Sequence, residues 1–244
     1  MKNQPLILAH RGANQYAPQN TIPAFKKAIE LGADGVEFDV QMTRDGVLVV
    51  CHNYTVDQTS NGSGFIQEMT FSELRKLDFG SWFGPEFTGT TIPTLEEVLQ
   101  VVQTMKLINI EIKRPSIPHR QEVVQKTVET IRRFPISDRV VVSSFDYCVI
   151  EEVKRIAPEM KCGLLYSFRD RKRSKMNHGN YLSMVKRCRA EAVHPTYNYI
   201  FLPSYLLRCR LHHVAINAWG VKKPEHMKYV RKIPVHSIIT DYLD

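Results

Sequence analysis

The chain has 244 residues, of which 43% are hydrophobic and 24% are charged, a composition typical of soluble globular proteins. This length suits one large α/β domain, and a core of that size excludes a dependence on disulfide or metal staples for folding. The 33 basic residues exceed the 25 acidic ones by 8. This excess fits either simple solubility or attraction to an anionic partner, such as a phosphate ester, a lipid headgroup or a nucleic acid.

The cysteines and the N-terminus indicate a reducing compartment. The chain has five cysteines and no CxxC pair, so neither a disulfide framework nor a structural zinc site is expected. The apolar run near the N-terminus, Pro-Leu-Ile-Leu-Ala, is shorter than the apolar core of a signal peptide and far shorter than a membrane span of about 20 residues. The sequence therefore predicts a cytoplasmic protein.

Short apolar runs alternate with longer amphipathic stretches along the chain. The predicted strands are 6–10, 35–41, 107–113, 139–144, 161–166, 192–195, 213–219 and 236–240, and helical patterns cover 22–31, 95–105, 121–134 and 147–156. Strands that alternate with helices build a parallel sheet. Eight strands over this length predict an α/β fold of the closed (β/α)8 TIM-barrel type, as a single domain over 1–244.

One interval interrupts this alternation. Residues 53–93 are rich in Gly, Ser and Thr and precede the second predicted helix, behind a short predicted strand, 46–52, that follows a turn at Asp45-Gly46. We predict that 53–93 form a small inserted cap segment over the barrel mouth. The alternative is a long disordered loop, but the apolar content favours a packed segment. The apolar residues concerned are Phe65, Leu74, Leu77, Phe79, Trp82 and Phe83.

Two predicted strands carry polar residues that buried parallel strands rarely contain. The alternating polar residues are Glu37, Asp39 and Gln41 in one strand and Asn109, Glu111 and Lys113 in the other. Alternate residues of a strand share a face, and helices cover the outside of a barrel. The polar faces are therefore predicted to point inward, where three carboxylates converge near the barrel axis.

Converging carboxylates repel one another and are costly to desolvate, so a positive group must lie among them. An all-oxygen set suits a hard divalent cation, Mg²⁺ or Ca²⁺. The alternative is that Lys113 or Arg11 neutralises the carboxylates and that no metal binds. The pattern favours one divalent metal ion.

Histidines add to this polar site. His10 ends the first predicted strand and His52 ends the short strand before the insert, and barrel active sites lie at the C-terminal ends of strands. Two histidines beside carboxylates indicate a general acid and a general base. Arg11 can bind phosphate in a bidentate fork, and Lys113 adds a point charge. Among the other histidines, His194 is a candidate because it lies near the end of the sixth predicted strand.

An ordered series of motifs resembles one known family. His10-Arg11-Gly12 and Pro18-Gln19-Asn20-Thr21 resemble the HRG…PENT opening of the glycerophosphodiester phosphodiesterases. The stretch Glu37-Phe38-Asp39-Val40, then Thr43-Arg44-Asp45-Gly46 and His52, resembles the ExDV…TxDG…H pattern of the same family. Later landmarks follow in the family's order: Ile92-Pro93-Thr94-Leu95, Glu111-Ile112-Lys113, Ser144-Phe145, Trp219 and Thr240-Asp241. The resemblance spans nearly the whole chain.

This resemblance implies a metal-dependent hydrolase that converts small glycerophosphodiesters to glycerol 3-phosphate and an alcohol. It implies metal ligands at Glu37, Asp39 and Glu111, an acid/base pair at His10 and His52, and phosphate contacts at Arg11 and Lys113. Phe145 and Trp219 end the fourth and seventh predicted strands. They are expected to form an apolar wall for the glycerol or alcohol group, with core packing as the alternative.

Two positions depart from the family pattern. Gln19 stands where the PENT motif has glutamate, and Asn53 stands where an aspartate follows the second histidine; each keeps its hydrogen-bonding shape and loses a charge. These departures leave open a substrate-binding module with reduced turnover. A lysophospholipase D-like or phosphoinositide phospholipase-like activity is a further alternative. Nucleic acid is not an expected partner, because no basic and aromatic residues interleave as they do in nucleic-acid-binding sheets.

A basic stretch, 168–189, follows the fifth predicted strand, so its first part is predicted to lie at the barrel mouth. Its basic residues are Arg169, Arg171, Lys172, Arg173, Lys175, Lys186, Arg187 and Arg189, against the single acid Asp170. One interpretation is a solvated loop that leads into an amphipathic helix. The other is an electrostatic collar that attracts anionic phosphodiesters or makes peripheral contact with an anionic membrane.

Overall fold

The strands of the molecule form one closed sheet. A computed structural model describes residues 4–114, 119–167, 180–221 and 223–243. The strands are β1 Leu6–His10, β2 Gly35–Met42, β3 Leu48–Val50, β4 Leu107–Ile112, β5 Val140–Ser144, β6 Lys161–Tyr166, β7 Ala192–Pro195, β8 Ala215–Val221 and β9 Ser237–Thr240. Parallel pairing runs from β1 through β2 and β4 to β9, and β9 pairs with β1. The prediction of a (β/α)8 TIM barrel is confirmed.

Helices follow the strands of the barrel. They are α1 Ile22–Glu30, α2 Phe71–Leu74, α3 Leu95–Val102, α4 Arg120–Arg132, α5 Tyr147–Ile156, α6 Tyr181–Cys188, α7 Pro203–Leu211 and α8 Pro224–Val230, with 3-10 turns at Ile66–Glu68, Pro85–Phe87 and Tyr197–Phe201. Except for α2, which lies in the insert, their apolar faces pack on the outward faces of the strands; Phe25 of α1, for example, meets Phe38 of β2 edge-on at 5.5 Å between ring centroids. Within the described ranges, no helix has both the length and the apolar character that crossing a membrane requires.

Two predicted strands differ from those observed by two residues at each end. The strand predicted over 213–219 is β8, which begins and ends two residues later. His213 has a positive φ of 55°, and its amide N–H donates to the Arg210 carbonyl, so this residue closes the turn after α7 instead of starting a strand. The strand predicted over 46–52 shortens to β3, which pairs antiparallel with β2.

The inserted segment 53–93 has a small core of its own. Val56, Ile66, Leu74 and Phe79 are buried together with residues that flank β3 and α3. Arg75 ties the segment to the barrel, because its guanidinium donates to Glu97 of α3 and to the carbonyl of Ile92 at 2.8 and 3.1 Å. The prediction of a packed cap therefore describes this segment, and the alternative of a disordered loop is wrong.

Two aromatic residues that were expected in the core of the insert lie on its surface. Phe65 and Trp82 are exposed by 46% and 44%. The indole N–H of Trp82 donates to the Phe79 carbonyl at 2.9 Å, and its ring meets Phe83 edge-on. Trp82 is thus held at the surface by one hydrogen bond and one ring contact, while Phe79 and aliphatic residues fill the core beneath.

Candidate active site

The carboxylates predicted to face inward meet at the barrel mouth. In the parallel pairing of β2 with β4, Glu37 lies opposite Asn109, and Asp39 lies opposite Glu111. Inward-facing side chains of these two strands are therefore direct neighbours. Glu37, Asp39 and Glu111 each offer an oxygen, and these oxygens lie within 4.8 Å of one another in a buried position. We call these three residues the carboxylate cluster.

Two cations contact the carboxylate cluster. The ammonium nitrogen of Lys113 lies 3.0 Å from Glu111 Oε1 and 3.4 Å from Asp39 Oδ1, and Arg11 Nε lies 3.6 Å from Asp39 Oδ2. The neutralising contacts considered from the sequence are thus present. Because three carboxylates face two cations, however, full ionisation leaves one negative charge in excess.

This excess changes the acidity of the carboxyl groups. Burial, and then the charges of Asp39 and Glu111, raise the pKa of Glu37 well above its ordinary value. Burial also raises the pKa of Glu111, against the opposing effect of Lys113. At Asp39 burial acts upward as well, but Lys113, His52 and Arg11 outweigh it and hold the pKa below its usual range. The cluster therefore favours an additional positive charge beside Glu37.

The donor set fits a hard divalent cation. All three groups are carboxylates, the ligand type that Mg²⁺ and Ca²⁺ prefer. Asp39 Oδ1 is buried and accepts no hydrogen bond from the residues that the structure describes. Its contact with Lys113, at 3.4 Å, is an ion pair without hydrogen-bond geometry, so a coordinated cation would satisfy this buried oxygen. Glu37, Asp39 and Glu111 could therefore hold one metal ion.

A tight turn after β1 positions Arg11 beside the cluster. Arg11 and Gly12 both have positive φ, 58° and 77°. A side chain at position 12 would place its Cβ 2.7 Å from the carbonyl carbon of Ala24, so only glycine fits this turn. Arg11 Nη1 donates to Gln19 Oε1 at 2.7 Å, and Asn20 donates to Asp39 Oδ2 at 2.9 Å. Gln19 thus anchors Arg11, whereas Asn20 supports the cluster directly.

His10 is held from the far end of the chain. Its Nδ1 lies 2.5 Å from Asp241 Oδ1, and Asn14 donates to the same oxygen at 2.6 Å. His10 Nε2 lies 3.9 Å from Glu37 Oε2. Burial lowers the pKa of His10, although the hydrogen bond with Asp241 opposes that effect.

Sequence reasoning assigned no role to Asp241 and noted it only as a family landmark. A signal was present, because Asp241 directly follows the last strand and His10 ends the first. The C-terminal ends of neighbouring barrel strands lie side by side, and β9 pairs with β1. The closure of the barrel therefore brings these two residues together.

His52 is held differently. The side-chain amide of Gln41 donates to the carbonyls of Cys51 and Asn53 at 2.8 and 2.7 Å, which fixes the backbone on both sides of the histidine. His52 Nδ1 lies 2.8 Å from Asn53 Oδ1. Burial lowers the pKa of His52 to about 4, against the attraction of Asp39 for the protonated ring.

These groups surround one cleft of about 950 Å³. Of the nine predicted site residues, Asp39 lies beneath the cleft and eight line it: His10, Arg11, Glu37, His52, Glu111, Lys113, Phe145 and Trp219. Phe145 and Trp219 meet edge-on at 5.7 Å between ring centroids, and the indole N–H of Trp219 donates to the His194 carbonyl. Both aromatic rings line the cleft, and Trp219 also packs against the buried apolar cluster of Leu8, Leu107, Val141 and Ile239.

His194 does not join this site. It is fully buried, it does not line the cleft, and its Nε2 lies 2.8 Å from the side-chain nitrogen of Asn217. Ser237 in turn donates to Asn217 Oδ1 at 2.7 Å. The candidate role for His194 that its strand position suggested is therefore wrong, and the ring is part of the barrel interior.

Most of the basic stretch lies outside the described residues. This applies to the proposed collar residues Arg169, Arg171, Lys172, Arg173 and Lys175. In the described part, Arg187 donates to Glu151 at 2.8 Å and stacks on the ring of Tyr147. That arginine is therefore engaged in packing α6 against α5.

Buried carboxylates, two histidines and two cations at the mouth of a (β/α)8 barrel are the groups that a metal-assisted hydrolase of anionic esters requires. The family model described as the glycerophosphoryl diester phosphodiesterase family matches residues 10–244. The chain belongs to this family, and it is a phosphoric diester hydrolase, as the resemblance of its motifs predicted.

Individual relatives agree with this membership. A glycerophosphodiester phosphodiesterase of Caldanaerobacter subterraneus subsp. tengcongensis is 40% identical over 237 residues, which are 97% of this chain and 93% of that protein. A phosphodiesterase of Oleispira antarctica, solved in complex with the product sn-glycerol-3-phosphate, matches with a TM-score of 0.86 at 25% identity over 98% of this chain and 94% of its own. A glycerophosphodiester phosphodiesterase of Thermotoga maritima matches with a TM-score of 0.79 at 28% identity, over 100% and 97% of the two chains.

Proposed function

We propose that this protein hydrolyses small glycerophosphodiesters to glycerol 3-phosphate and an alcohol, with one bound divalent ion, Mg²⁺ or Ca²⁺. The observation that carries the proposal is the convergence of the carboxylate cluster, both histidines and Arg11 on one cleft. The Oleispira phosphodiesterase binds sn-glycerol-3-phosphate, which supports the assignment of the product.

Glu37, Asp39 and Glu111 are the residues that would hold the ion. When bound, the ion supplies positive charge that offsets the charge developing on the phosphoryl oxygens. Arg11 and Lys113 add fixed cations on the same wall of the cleft, within 3.6 Å of the cluster. Gln19 meets only one nitrogen of the Arg11 guanidinium, so this side chain keeps donors for a phosphate oxygen.

The two histidines transfer protons. One removes a proton from the attacking group, which is water or the 2-hydroxyl of the glycerol, and the other protonates the leaving alkoxide. Each ring is held through Nδ1, His10 by Asp241 and His52 by Asn53. Nε2 of each ring is therefore the nitrogen available to the substrate.

Phe145 and Trp219 complete the cleft on its apolar side. Leu165 and Ile239 lie beside them. An apolar wall opposite charged groups places the carbon atoms of an ester away from its phosphate. We propose that this wall contacts the glycerol or the alcohol group.

The test is the release of glycerol 3-phosphate from glycerophosphocholine. We expect activity to vanish after exhaustive chelation and to return with Mg²⁺ or Ca²⁺, and Glu111→Gln should prevent this recovery. Glu96→Gln is a matched control, because Glu96 lies on the surface of α3 and pairs with Arg133 at 3.6 Å. Activity that persists at full strength without any divalent ion would rule out the metal requirement.

The same assay separates the alternatives. A lysophospholipase D-like or phosphoinositide phospholipase-like enzyme would prefer a lipid substrate over glycerophosphocholine. A substrate-binding module would bind glycerol 3-phosphate but would hydrolyse neither glycerophosphocholine nor the lipid substrate.

A further inference from the structure

The two histidines of the site differ in the group that holds them. His10 Nδ1 meets a carboxylate, Asp241, whereas His52 Nδ1 meets the side-chain amide of Asn53. The amide of Asn53 is bonded onward, because its Nδ2 donates to Gln58 Oε1 at 3.0 Å. A carboxylate accepts hydrogen bonds only, but an amide both accepts and donates. The two holding groups therefore constrain their rings differently.

The chain of bonds from His52 through Asn53 to Gln58 can run in either direction. In the structure Asn53 Oδ1 faces His52 Nδ1 at 2.8 Å, and because this oxygen can only accept, His52 Nδ1 donates in that arrangement. If the side-chain amides of Asn53 and Gln58 are both flipped, so that oxygen and nitrogen exchange places, the direction reverses. Gln58 Nε2 then donates to Asn53 Oδ1, and Asn53 Nδ2 donates to His52 Nδ1. The oxygen and nitrogen of an amide occupy nearly the same space, so both arrangements fit the same packing.

Turning these amides breaks no other hydrogen bond within the described ranges. The side chains of Asn53 and Gln58 bond only to each other and to His52. The backbone around His52 is fixed independently by Gln41. The direction of this chain of bonds therefore depends on Gln58, an exposed residue of the insert.

The direction decides which ring nitrogen of His52 carries the hydrogen. When Asn53 Oδ1 faces the ring, Nδ1 carries it, and Nε2 has a lone pair that can accept a proton. When Asn53 Nδ2 faces the ring, Nε2 carries the hydrogen and cannot accept another. The doubly protonated ring needs Oδ1 at that position as well, because both of its nitrogens donate. One direction alone thus serves proton transfer, whether His52 is the acid or the base.

We propose that Gln58 is a positioning residue: whether it accepts from Asn53 or donates to it determines which ring nitrogen of His52 carries the hydrogen. This role rests on the proposed function, since it matters only if His52 transfers a proton. It assigns a part in the reaction to the inserted segment, which supplies Gln58 but neither histidine.

Two substitutions at position 58 test the proposal with opposite expected signs. In Gln58→Glu the side chain only accepts, so Asn53 Nδ2 must donate to it and Oδ1 stays on His52. In Gln58→Lys the side chain only donates, so Oδ1 turns away and Nδ2 faces the ring. We expect kcat for glycerophosphocholine to be equal or higher in Gln58→Glu, and to fall at least tenfold in Gln58→Lys, since a wrong histidine tautomer can cost up to about 10⁴ in turnover.

The charges of the two new side chains, taken alone, predict the reverse order of activity for Gln58→Glu and Gln58→Lys. A lysine near the cleft attracts an anionic phosphodiester and a glutamate repels it, so simple attraction would favour Gln58→Lys. Imidazole ¹⁵N NMR gives a direct reading: we expect hydrogen on Nδ1 of His52 in Gln58→Glu and on Nε2 in Gln58→Lys. The His10 signals, held by Asp241, should be the same in both proteins.

The Asn53→Asp background supplies the decisive control. A carboxylate at position 53 can only accept, so His52 Nδ1 must donate to it whatever occupies position 58. Gln58→Lys should then lose its effect on kcat. A tenfold loss that persists in this background, or the same tautomer in both single variants, would overturn the proposal. If the wild-type protein fails to hydrolyse glycerophosphocholine, the proposed function fails, but the NMR comparison still decides the role of Gln58.

Discussion

Two groups among the buried polar residues of the barrel interior have different consequences. The carboxylate cluster, Glu37, Asp39 and Glu111, lies between β2 and β4 and is 4%, 1% and 7% exposed. A second group, which we call the neutral cluster, consists of His194, Asn217 and Ser237 on β7, β8 and β9, at 0%, 2% and 0%. Burial alone therefore does not distinguish a site from a structural element.

The neutral cluster is joined by hydrogen bonds. Ser237 bonds Asn217, and Asn217 bonds His194. Burial, with a smaller contribution from His236, lowers the pKa of His194 to about 3, so the ring is uncharged at neutral pH. Gly163 leaves room for it, since a Cβ there would lie 2.1 Å from His194 Nε2. His194 Nδ1 has no hydrogen-bond partner among the described residues, but the cluster carries no charge, so its members are balanced electrostatically.

The carboxylate cluster lacks this internal balance. When ionised, its three carboxylates outnumber the two positive charges of Arg11 and Lys113. Asp39 Oδ1 accepts no hydrogen bond from the described part of the chain. A buried charge without full compensation destabilises a fold unless a ligand completes it. The comparison teaches that unmet charge, rather than polarity, marks the site.

The largest expected effect comes from neutralising a member of the carboxylate cluster. Because the pKa of Glu37 is raised in the folded protein, its ionisation above the ordinary carboxyl pKa opposes folding. Glu37→Gln should therefore keep or raise the melting temperature of the metal-free protein. It should also lower turnover by about 10² to 10³, the usual cost of losing one electrostatic contact at a reacting group. Calorimetry without divalent ions and the glycerophosphocholine assay measure the two effects. A lower metal-free melting temperature would contradict the comparison.

In the neutral cluster, by contrast, the uncharged form of His194 should stabilise the folded protein at neutral pH. The unfolded chain binds a proton at His194 near pH 6.5, whereas the folded chain does so only near pH 3. The contribution of His194 to the free energy of unfolding is therefore fully present above pH 6.5. As the pH falls below that value, the contribution decreases by about 1.4 kcal/mol per pH unit. Between pH 6.5 and 4.5 the free energy of unfolding should fall by about 2–3 kcal/mol more in the wild type than in His194→Gln.

Denaturant titrations at several pH values, compared between these two proteins, measure that difference. Other titrating groups are common to both and cancel. Turnover at neutral pH should change only a few-fold, because His194 does not line the cleft. Parallel stability curves would show that the ring is not kept neutral by its burial.

The smallest expected effect concerns Gln19, which holds Arg11 beside the carboxylate cluster. Gln19 Oε1 accepts from Arg11 Nη1, and a carboxylate at this position would turn the bond into an ion pair with two oxygens that can accept from the guanidinium. Gln19→Glu should raise kcat/KM by about two- to tenfold through a firmer Arg11. Gln15→Glu adds the same charge at an exposed neighbouring position and should not reproduce the gain. A loss of activity would mean that the site is adapted to a neutral residue 19.

The sequence alone was sufficient for the barrel and for most of the cleft. Glu37 and Asp39 alternate with apolar residues in β2, and Glu111 does so in β4. This period of two is a local property that fixes which side chains share a face. The position of His10 at the end of a strand is equally local. Such features need no knowledge of distant contacts, so the inward carboxylates and the mouth histidines could be predicted.

Only the tertiary structure decided which distant residues complete these groups. His10 and Asp241 are 231 positions apart and meet because the barrel closes between β1 and β9. His194 and Trp219 likewise occupy similar places near strand ends, yet one ring is buried among neutral partners and the other lines the cleft. Register across a closed sheet and the satisfaction of each buried polar atom are properties of the whole packing, and no local pattern in the sequence contains them.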